Sequence, residues 1–258
     1  MICFDYFVVA ILGLSFGSFA NVCIIRLPSD INIISPSRCQ FCKTPIKYFD
    51  NIPIISYLIL KGVSRCCNKK ISMQYPIVEF LVMIFALLSY YFLGRSLDAF
   101  LLFFFVLSLI IIFVTDYREF IIPNVITYFM MILGIIFSFL HLNPINILII
   151  DSLLGGFISG LLFFSISKIF LFVRKKEGLG MGDVKMISMI GFWTGLELTL
   201  MVIVVSSLLG TIFSLALVLS KRMDFNQYIP YGCFISISTA CIMYLNLALN
   251  YSIISIFI

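Results

Sequence analysis

Long apolar segments recur along the whole chain, and short polar connections separate them. A helix needs about 20 apolar residues to cross a bilayer core of ~30 Å. Hydrophobic residues make up 62% of the 258 positions and charged residues only 11%, which excludes both a soluble domain and a disordered chain. Because lipid cannot satisfy backbone polar groups, we expect an all-α, polytopic membrane helical bundle. About eight transmembrane helices are predicted, at residues 6–25, 76–94, 98–115, 121–141, 146–173, 183–196, 197–220 and 229–257.

Two of these spans have unusual glycines. The sixth is short, and we expect Gly191 and Gly195 to break it. The fifth is long, and a bend is expected at Gly155, Gly156 or Gly160.

Lysine and arginine predict the orientation, because cytoplasmic loops carry an excess of both. The basic residues of the segment that follows the first span are Arg26, Arg38, Lys43, Lys47, Lys61, Arg65, Lys69 and Lys70. That loop is predicted to be cytoplasmic, with the N-terminus outside. Arg118, Lys175, Lys185 and Lys221 then fall inside if there are eight crossings. The net charge of +5 is local to these loops, so we expect the lipid bilayer as a partner and no nucleic acid.

The loop holds two pairs of cysteines, Cys39 with Cys42 in a CxxC pattern, and Cys66 with Cys67. Two such turns can close a tetrahedral zinc site, and in a reducing cytoplasm a metal is favoured over a disulfide. The alternative is four free or transiently oxidised thiols. The remaining cysteines are interpreted as packing residues: Cys3, Cys23, Cys233 and Cys241.

Glu79 lies inside the second span, where a carboxylate is costly and is a functional hypothesis by default. The alternative is a glutamate that reaches the interface or pairs with a lysine of the loop. A contact with substrate and a structural role both stay open.

Two aspartates are predicted to lie at the same membrane face. Asp116 ends the third span in TDYREFIIPN, and Asp183 begins the sixth in GLGMGDVK. Two neighbouring carboxylates cannot both ionise easily, so one holds a proton while the other acts as a base. Such a pair can activate water for peptide hydrolysis. The alternatives are that Asp183 caps a helix and that Asp116 is a polar helix end paired with Arg118.

Glycines precede Asp183 at positions 178, 180 and 182. Gly178, Gly180 and Gly182 would let the backbone approach an extended peptide or let the helix open locally. Lys185, two residues after Asp183, is a candidate to hold a carboxylate or the loop.

The sequence resembles the type IV prepilin peptidases, the leader peptidase/N-methyltransferases of pilus and type II secretion systems. The resemblance rests on six segments in order: GSFANVCIIRLP, CQFC, FDNIPIISYLILKG, ISMQYPIVEFL, TDYREFIIPN and GLGMGDVK. It implies a GxGD membrane aspartic protease of the bacterial inner membrane, with Asp116 and Asp183 as the catalytic pair. The implied division is a first transmembrane helix at 1–26, a cytoplasmic Cys-containing loop domain at 27–72 and a transmembrane aspartic peptidase bundle at 73–258.

The resemblance implies two activities on type IV prepilin or pseudopilin substrates. The first is removal of a short basic leader, after Gly and before Phe or Met, at the cytoplasmic face. The second is N-methylation of the new N-terminal residue with S-adenosylmethionine, for which Gly17, Asn21 and Arg26 are the candidate cofactor-binding residues.

The cysteines depart from the family pattern, which has CxxC twice. Alignment on Ile71 places Cys67 on the last cysteine and Ser64 on the third. Either Cys66 substitutes with shifted geometry or the metal is absent. A peptidase that lacks methyltransferase activity is therefore one open alternative. Another is a non-enzymatic transporter or assembly scaffold. A transport site would usually lie near the membrane midplane.

Overall fold

The computed structural model describes residues 2–29, 31–175, 179–221 and 228–257. Gly178 lies outside the described residues. Within them the chain is helical, and β-structure is limited to two isolated bridges. The helices are α1 (Ile2–Arg26), a 3₁₀ helix (Tyr48–Asn51), α2 (Ile55–Ile59), α3 (Gln74–Leu93), α4 (Leu97–Glu119), α5 (Asn124–Phe139), α6 (Ile149–Arg174), α7 (Met181–Leu219) and α8 (Tyr231–Phe257).

Six of these helices, α1, α3, α4, α6, α7 and α8, are long and apolar enough to cross a membrane. Helix α5 is apolar but has only 16 residues. The all-α membrane bundle predicted from the sequence is therefore confirmed. The short helix α2 and the 3₁₀ helix, both inside the 27–72 loop, were not predicted.

The chain divides into two compact units, Met1–Ile111 and Ile112–Ile258. In the first unit α1 packs against α3. Two glycines of α1 make this contact close, because a Cβ on Gly13 would lie 2.8 Å from the Met83 Cα, and one on Gly17 would lie 2.6 Å from the Glu79 Cα. Small residues let membrane helices approach at their backbones.

In the second unit α6 packs against the first part of α7, and the two run antiparallel. A Cβ on Gly155 would lie 2.5 Å from the Gly191 carbonyl oxygen. The Ser188 hydroxyl donates to the Gly156 carbonyl at 2.9 Å. Gly191 and the glycines of α6 thus permit close packing, and Gly191 does not break its helix as the sequence analysis expected.

Helix α7 reverses direction at Gly195, whose φ of 73° and ψ of 177° are not helical. Beyond that residue the chain runs back along α8: Leu196 shares a cavity with Asn246, and Ser206 lies 3.0 Å from the Tyr231 hydroxyl. Residues 181–194 and 196–219 are therefore two antiparallel segments. They correspond to the sixth and seventh predicted spans, with the boundary near its predicted place.

Polar side chains satisfy the carbonyls near this reversal. Asn143 donates to the Trp193 carbonyl at 3.2 Å, and the Ser152 hydroxyl donates to the Phe192 carbonyl at 2.6 Å. The Thr194 and Thr199 hydroxyls lie 2.8 Å apart. Irregular backbone within a membrane protein needs such internal partners, since lipid offers none.

Candidate active site

Asp116 lies in the last turn of α4, just before the chain turns into α5. The turn begins at Phe120, whose φ is 55° and whose N–H donates to the Asp116 carbonyl at 3.0 Å. Pro123, with a φ of −64°, immediately precedes α5. Proline fits there because its fixed φ suits the start of a helix. This turn leads from the polar end of α4 into α5.

The Asp116 carboxylate is buried against the start of α8. Its Oδ2 accepts the backbone N–H of Cys233 at 3.1 Å, and the side chain also bonds to the backbone of Gly232. The first N–H groups of a helix have no partner within the helix and favour a negative charge. The start of α8 therefore orients and stabilises this carboxylate.

Asp183 is the third residue of α7, and its N–H donates to the Gly180 carbonyl at 3.1 Å. A Cβ on Gly180 would lie 3.3 Å from the Asp183 Oδ2, so this glycine leaves room beside the carboxylate. A Cβ on Gly182 would lie 3.1 Å from the Ile122 Cβ. Gly182 thus allows the turn after Asp116 to approach the start of α7.

The two carboxylates are close enough to interact electrostatically, and each also interacts with the Cys233 thiol. The ends of α4, α7 and α8 meet at this point, although their residues are far apart in the chain. Two carboxylates in one site can hold a single proton between them. One can then take a proton from water while the other donates a proton to a leaving group.

Lys185 contacts α5. Its ammonium group donates to the Asn124 Oδ1 at 2.8 Å and lies over the Tyr128 ring, 5.4 Å from its centroid. These contacts join the start of α7 to the start of α5, beside the turn that carries Ile122.

Three residues at this site were not identified from the sequence: Ile122, Gly232 and Cys233. Cys233 was interpreted as a packing residue, whereas its N–H bonds to Asp116 and its thiol donates to the Phe113 carbonyl at 3.3 Å. A Cβ on Gly232 would lie 2.8 Å from the Asp116 Oδ2. The only sequence signal of Gly232 and Cys233 is their position at the start of the last apolar span, and that of Ile122 is its position at the start of the fourth predicted span.

In the first unit, Gly17, Asn21 and Arg26 make structural contacts. Gly17 packs on the backbone of Glu79. Asn21 donates to the Tyr75 carbonyl at 3.1 Å. The Arg26 guanidinium reaches four carbonyls of the next loop, those of Asn32, Ile33, Ser35 and Pro36.

Glu79 is buried in α3 and faces the loop. Its Oε2 accepts the N–H of Ile54 at 2.7 Å. Ile54 has a φ of 58°, which is strained for a β-branched residue. The carboxylate thereby holds an unfavourable backbone conformation just before α2.

The four loop cysteines form one cluster, with their sulfur atoms all within 4.8 Å of one another. Cys39 and Cys67 are 3.8 Å apart, and Cys42 and Cys66 are 3.1 Å apart. Four thiolates bound to zinc at ~2.3 Å would be separated by about 3.8 Å. The cluster therefore fits a tetrahedral metal site with little adjustment.

The two turns of the cluster have the same backbone pattern. Lys43 (φ 60°) donates its N–H to the Cys39 carbonyl, and Asn68 (φ 53°) donates to the Ser64 carbonyl. Ser64 thus takes the place that Cys39 has in the first turn, as alignment of the sequence indicated. Its hydroxyl lies 3.1 Å from the Cys67 sulfur, while Cys66 supplies the fourth sulfur.

Hydrogen bonds shift the pKa values of these thiols. Contacts with the Thr44 hydroxyl and with Cys66 lower the pKa of Cys42 to about 6. The same contact with Cys42 raises the pKa of Cys66 to about 12. At neutral pH the cluster therefore already offers a thiolate, the form that binds metal.

Two known protein families match this chain, one mainly in each unit. The family described as "Bacterial Peptidase A24 N-terminal domain" matches residues 11–93, and the "Type IV leader peptidase family" matches residues 103–215. No solved structure matches significantly.

Several curated relatives share the name prepilin leader peptidase/N-methyltransferase. The protein from Vibrio cholerae serotype O1 is 31% identical over 91% of this chain and 94% of its own length. Those from Klebsiella pneumoniae and Xanthomonas campestris pv. campestris are 33% and 30% identical, over 71% and 88% of this chain and 82% and 86% of their own lengths. The chain therefore belongs to the type IV leader peptidase family of bacterial membrane proteins.

Proposed function

We propose that this protein is an aspartic endopeptidase that removes the basic leader of type IV prepilins or pseudopilins at the cytoplasmic face of the bacterial inner membrane. Asp116 and Asp183 are the catalytic residues. The protein also N-methylates the new N-terminal residue with S-adenosylmethionine.

The meeting of two carboxylates from distant helices is the observation that carries the peptidase proposal. Asp116 ends α4 and Asp183 begins α7, yet the two interact electrostatically beside the first turn of α8. Both lie at helix ends. A transport site usually lies near the membrane midplane, so this placement supports a peptidase over a transporter.

In the proposed reaction, one carboxylate takes a proton from water, and the resulting hydroxide attacks the scissile carbonyl carbon. The other carboxylate, which holds a proton, donates it to the leaving amine as the C–N bond breaks. The first N–H groups of α8 keep Asp116 oriented through the cycle. No metal or covalent intermediate is needed for this chemistry.

Glycines next to the carboxylates let these side chains lie close to the backbone. Gly180 and Gly232 leave room for the carboxylates of Asp183 and Asp116 respectively. The cytoplasmic loops carry positive charge, which repels a basic leader. We therefore expect backbone contacts and the glycine at the cleavage point to govern recognition of the leader.

The methyltransferase half of the proposal rests on the names of the relatives. For the cysteine cluster we propose a structural zinc ion bound by Cys39, Cys42, Cys66 and Cys67. When bound, zinc would supply a rigid cross-link between the two turns.

The peptidase is tested with Asp116→Asn and Asp183→Asn, each assayed for leader removal from a co-expressed prepilin. Each variant is expected to lose at least ~100-fold in cleavage rate, because a proton-transfer group is removed. Asp151→Asn is the matched control, since Asp151 is an exposed aspartate in the first turn of α6. Undiminished processing in either site variant would refute the catalytic pair.

A further inference from the structure

The short helix α2 of the first unit has an uncovered apolar face. Ile55, Leu58 and Ile59 are 51%, 67% and 70% exposed, and their spacing of three and four residues puts them on one side of the helix. Ser56 is buried instead, and its hydroxyl donates to the Phe49 carbonyl in the 3₁₀ helix at 2.8 Å. Apolar surface that is grouped in this way marks a site of contact with a protein or a membrane.

Hydrogen bonding places α2 beside the membrane-spanning part of α3. The N–H of Ile54, immediately before α2, donates to the Glu79 Oε2 at 2.7 Å. Glu79 lies five residues into α3, so a rise of 1.5 Å per residue puts it about 7.5 Å from the start of that helix. With 20 residues α3 is about 30 Å long, the thickness of the hydrocarbon core, so its first residue already lies at the boundary of that core.

Helix α1 gives the same depth for this position. A Cβ on Gly17 would lie 2.6 Å from the Glu79 Cα, so the two residues are level with each other. Gly17 precedes Arg26, at the basic end of α1, by nine residues or about 13.5 Å. Ile54 and the start of α2 therefore lie closer to the membrane centre than the ends of the two helices that flank the loop. Outside the protein, the surroundings at that depth are lipid.

The loop that carries α2 is basic. Residues 27–73 contain seven Lys or Arg against two Asp. Lys61, two residues after α2, is exposed, and Lys47 and Arg65 each lie 5.6 Å from the centroid of the Phe49 ring. Anionic lipids attract a Lys or Arg near the surface by about 1 kcal/mol each. An apolar face next to an excess of positive charge is typical of a segment that lies in the interface of an anionic membrane.

We propose that α2 is an interfacial anchor of the loop. Ile55, Leu58 and Ile59 insert among the acyl chains of the cytoplasmic leaflet, and Lys61 binds the phosphate of an anionic phospholipid. The depth of α2 favours lipid over a soluble protein as the occupant, because a soluble partner does not reach past the ends of α1 and α3. This role depends on neither leader cleavage nor methyl transfer.

The first test measures depth by fluorescence quenching. Ile59→Trp is reconstituted as the full chain with phospholipids brominated on their acyl chains, and the signal of Trp193, the one natural tryptophan, is subtracted. We expect the bromolipids to lower the added fluorescence roughly twofold. Phe41→Trp is the matched control, because Phe41 is also half exposed but lies next to Gln40, which donates to the Tyr75 hydroxyl at the start of α3. Quenching of Ile59→Trp no stronger than that of Phe41→Trp would overturn the proposal.

The second test uses the wild type, and it decides the matter if Ile59→Trp fails to fold. Phosphatidylglycerol and phosphatidylcholine with photoreactive acyl chains are each cross-linked to the full chain in nanodiscs, and the adducts are mapped by mass spectrometry. We expect adducts in peptides that cover residues 55–61, with a several-fold higher yield for phosphatidylglycerol.

Lys61→Gln should remove this preference for the anionic lipid. Arg95→Gln is the control, since it removes one exposed charge of the same unit just beyond the other end of α3, and it should keep the preference. Equal yields for the two lipids in the wild type would overturn the binding of an anionic headgroup at Lys61. Absence of adducts from residues 55–61 would overturn the anchor itself and indicate a protein, such as a second copy of this chain, as the occupant.

Discussion

Gly232 lies against the Asp116 carboxylate because it has no side chain. At the scale of single residues, the candidate site depends on glycines that have no side chain as much as on its acidic groups. An added methyl group there would meet the movable end of an aspartate, so the protein can keep its fold while the carboxylate is displaced.

Gly232→Ala is therefore expected to lower the rate of leader cleavage at least tenfold, with little change in thermal stability. Its Cβ would lie 2.8 Å from the Asp116 Oδ2, and small displacements of a catalytic group are costly. The measurement is processing of a purified prepilin alongside a melting curve. Gly210→Ala is the control, since its nearest contact would be an ordinary 3.6 Å to Phe234. Equal rates for both variants would contradict this role of Gly232.

Ser64 stands where the family pattern has a cysteine, and Cys66 supplies the fourth sulfur of the cluster instead. We therefore expect Cys66 to be needed for metal binding. Cys66→Ser is expected to lower bound zinc from about one ion per chain to well below one, because a thiolate ligand is lost. Elemental analysis of the purified protein measures this. Cys241→Ser, outside the cluster, should retain the metal. Full zinc content in Cys66→Ser would show that Cys66 is not a ligand.

At the scale of helices, two glycines of α7 act in opposite ways. Gly191 has helical backbone and permits contact with α6, whereas Gly195 ends one segment and begins the next. Replacing each glycine by alanine should therefore measure two different losses of stability, one from packing at Gly191 and one from backbone conformation at Gly195.

Gly191→Ala is expected to destabilise the protein by about 1–3 kcal/mol, because its Cβ would overlap the Gly155 carbonyl and push two helices apart. Thermal unfolding in detergent, followed by circular dichroism, measures the loss. Gly160→Ala should lose less, since its Cβ would meet the Ser188 side chain at 3.0 Å and no backbone atom closer than 3.9 Å. A smaller loss for Gly191→Ala than for Gly160→Ala would contradict this packing argument.

Gly195→Ala meets no atom closer than 3.7 Å, so its expected cost, about 1–3 kcal/mol, comes from the backbone alone. The combination φ 73°, ψ 177° is populated almost only by glycine. The same unfolding assay applies. An unchanged melting temperature would indicate that another backbone conformation can make the turn.

At the scale of the whole molecule, the reversal at Gly195 divides α7 into two antiparallel segments. Asp183, at the start of the first segment, and residue 219, at the end of the second, therefore lie toward the same membrane face. Together with the basic loops, this predicts eight crossings with the N-terminus outside. Fusions truncated at Lys221 should show a cytoplasmic reporter, and fusions at His141 a periplasmic one. Reporters on one common side would contradict the predicted crossings.

The sequence alone predicted the helical membrane class, most of the spans and the placement of Asp116 and Asp183 at helix ends, because hydropathy and charge are properties of short windows. It did not predict the contact of Cys233 with Asp116, the roles of Gly232 and Ile122, or the position of α2 beside Glu79. Those features depend on how helices that are distant in the sequence pack together, and short stretches of sequence carry no information on that packing. Ser64 shows the boundary between the two: alignment indicated its place in the turn, but only the tertiary structure brought Cys66 to Cys42 and completed the cluster.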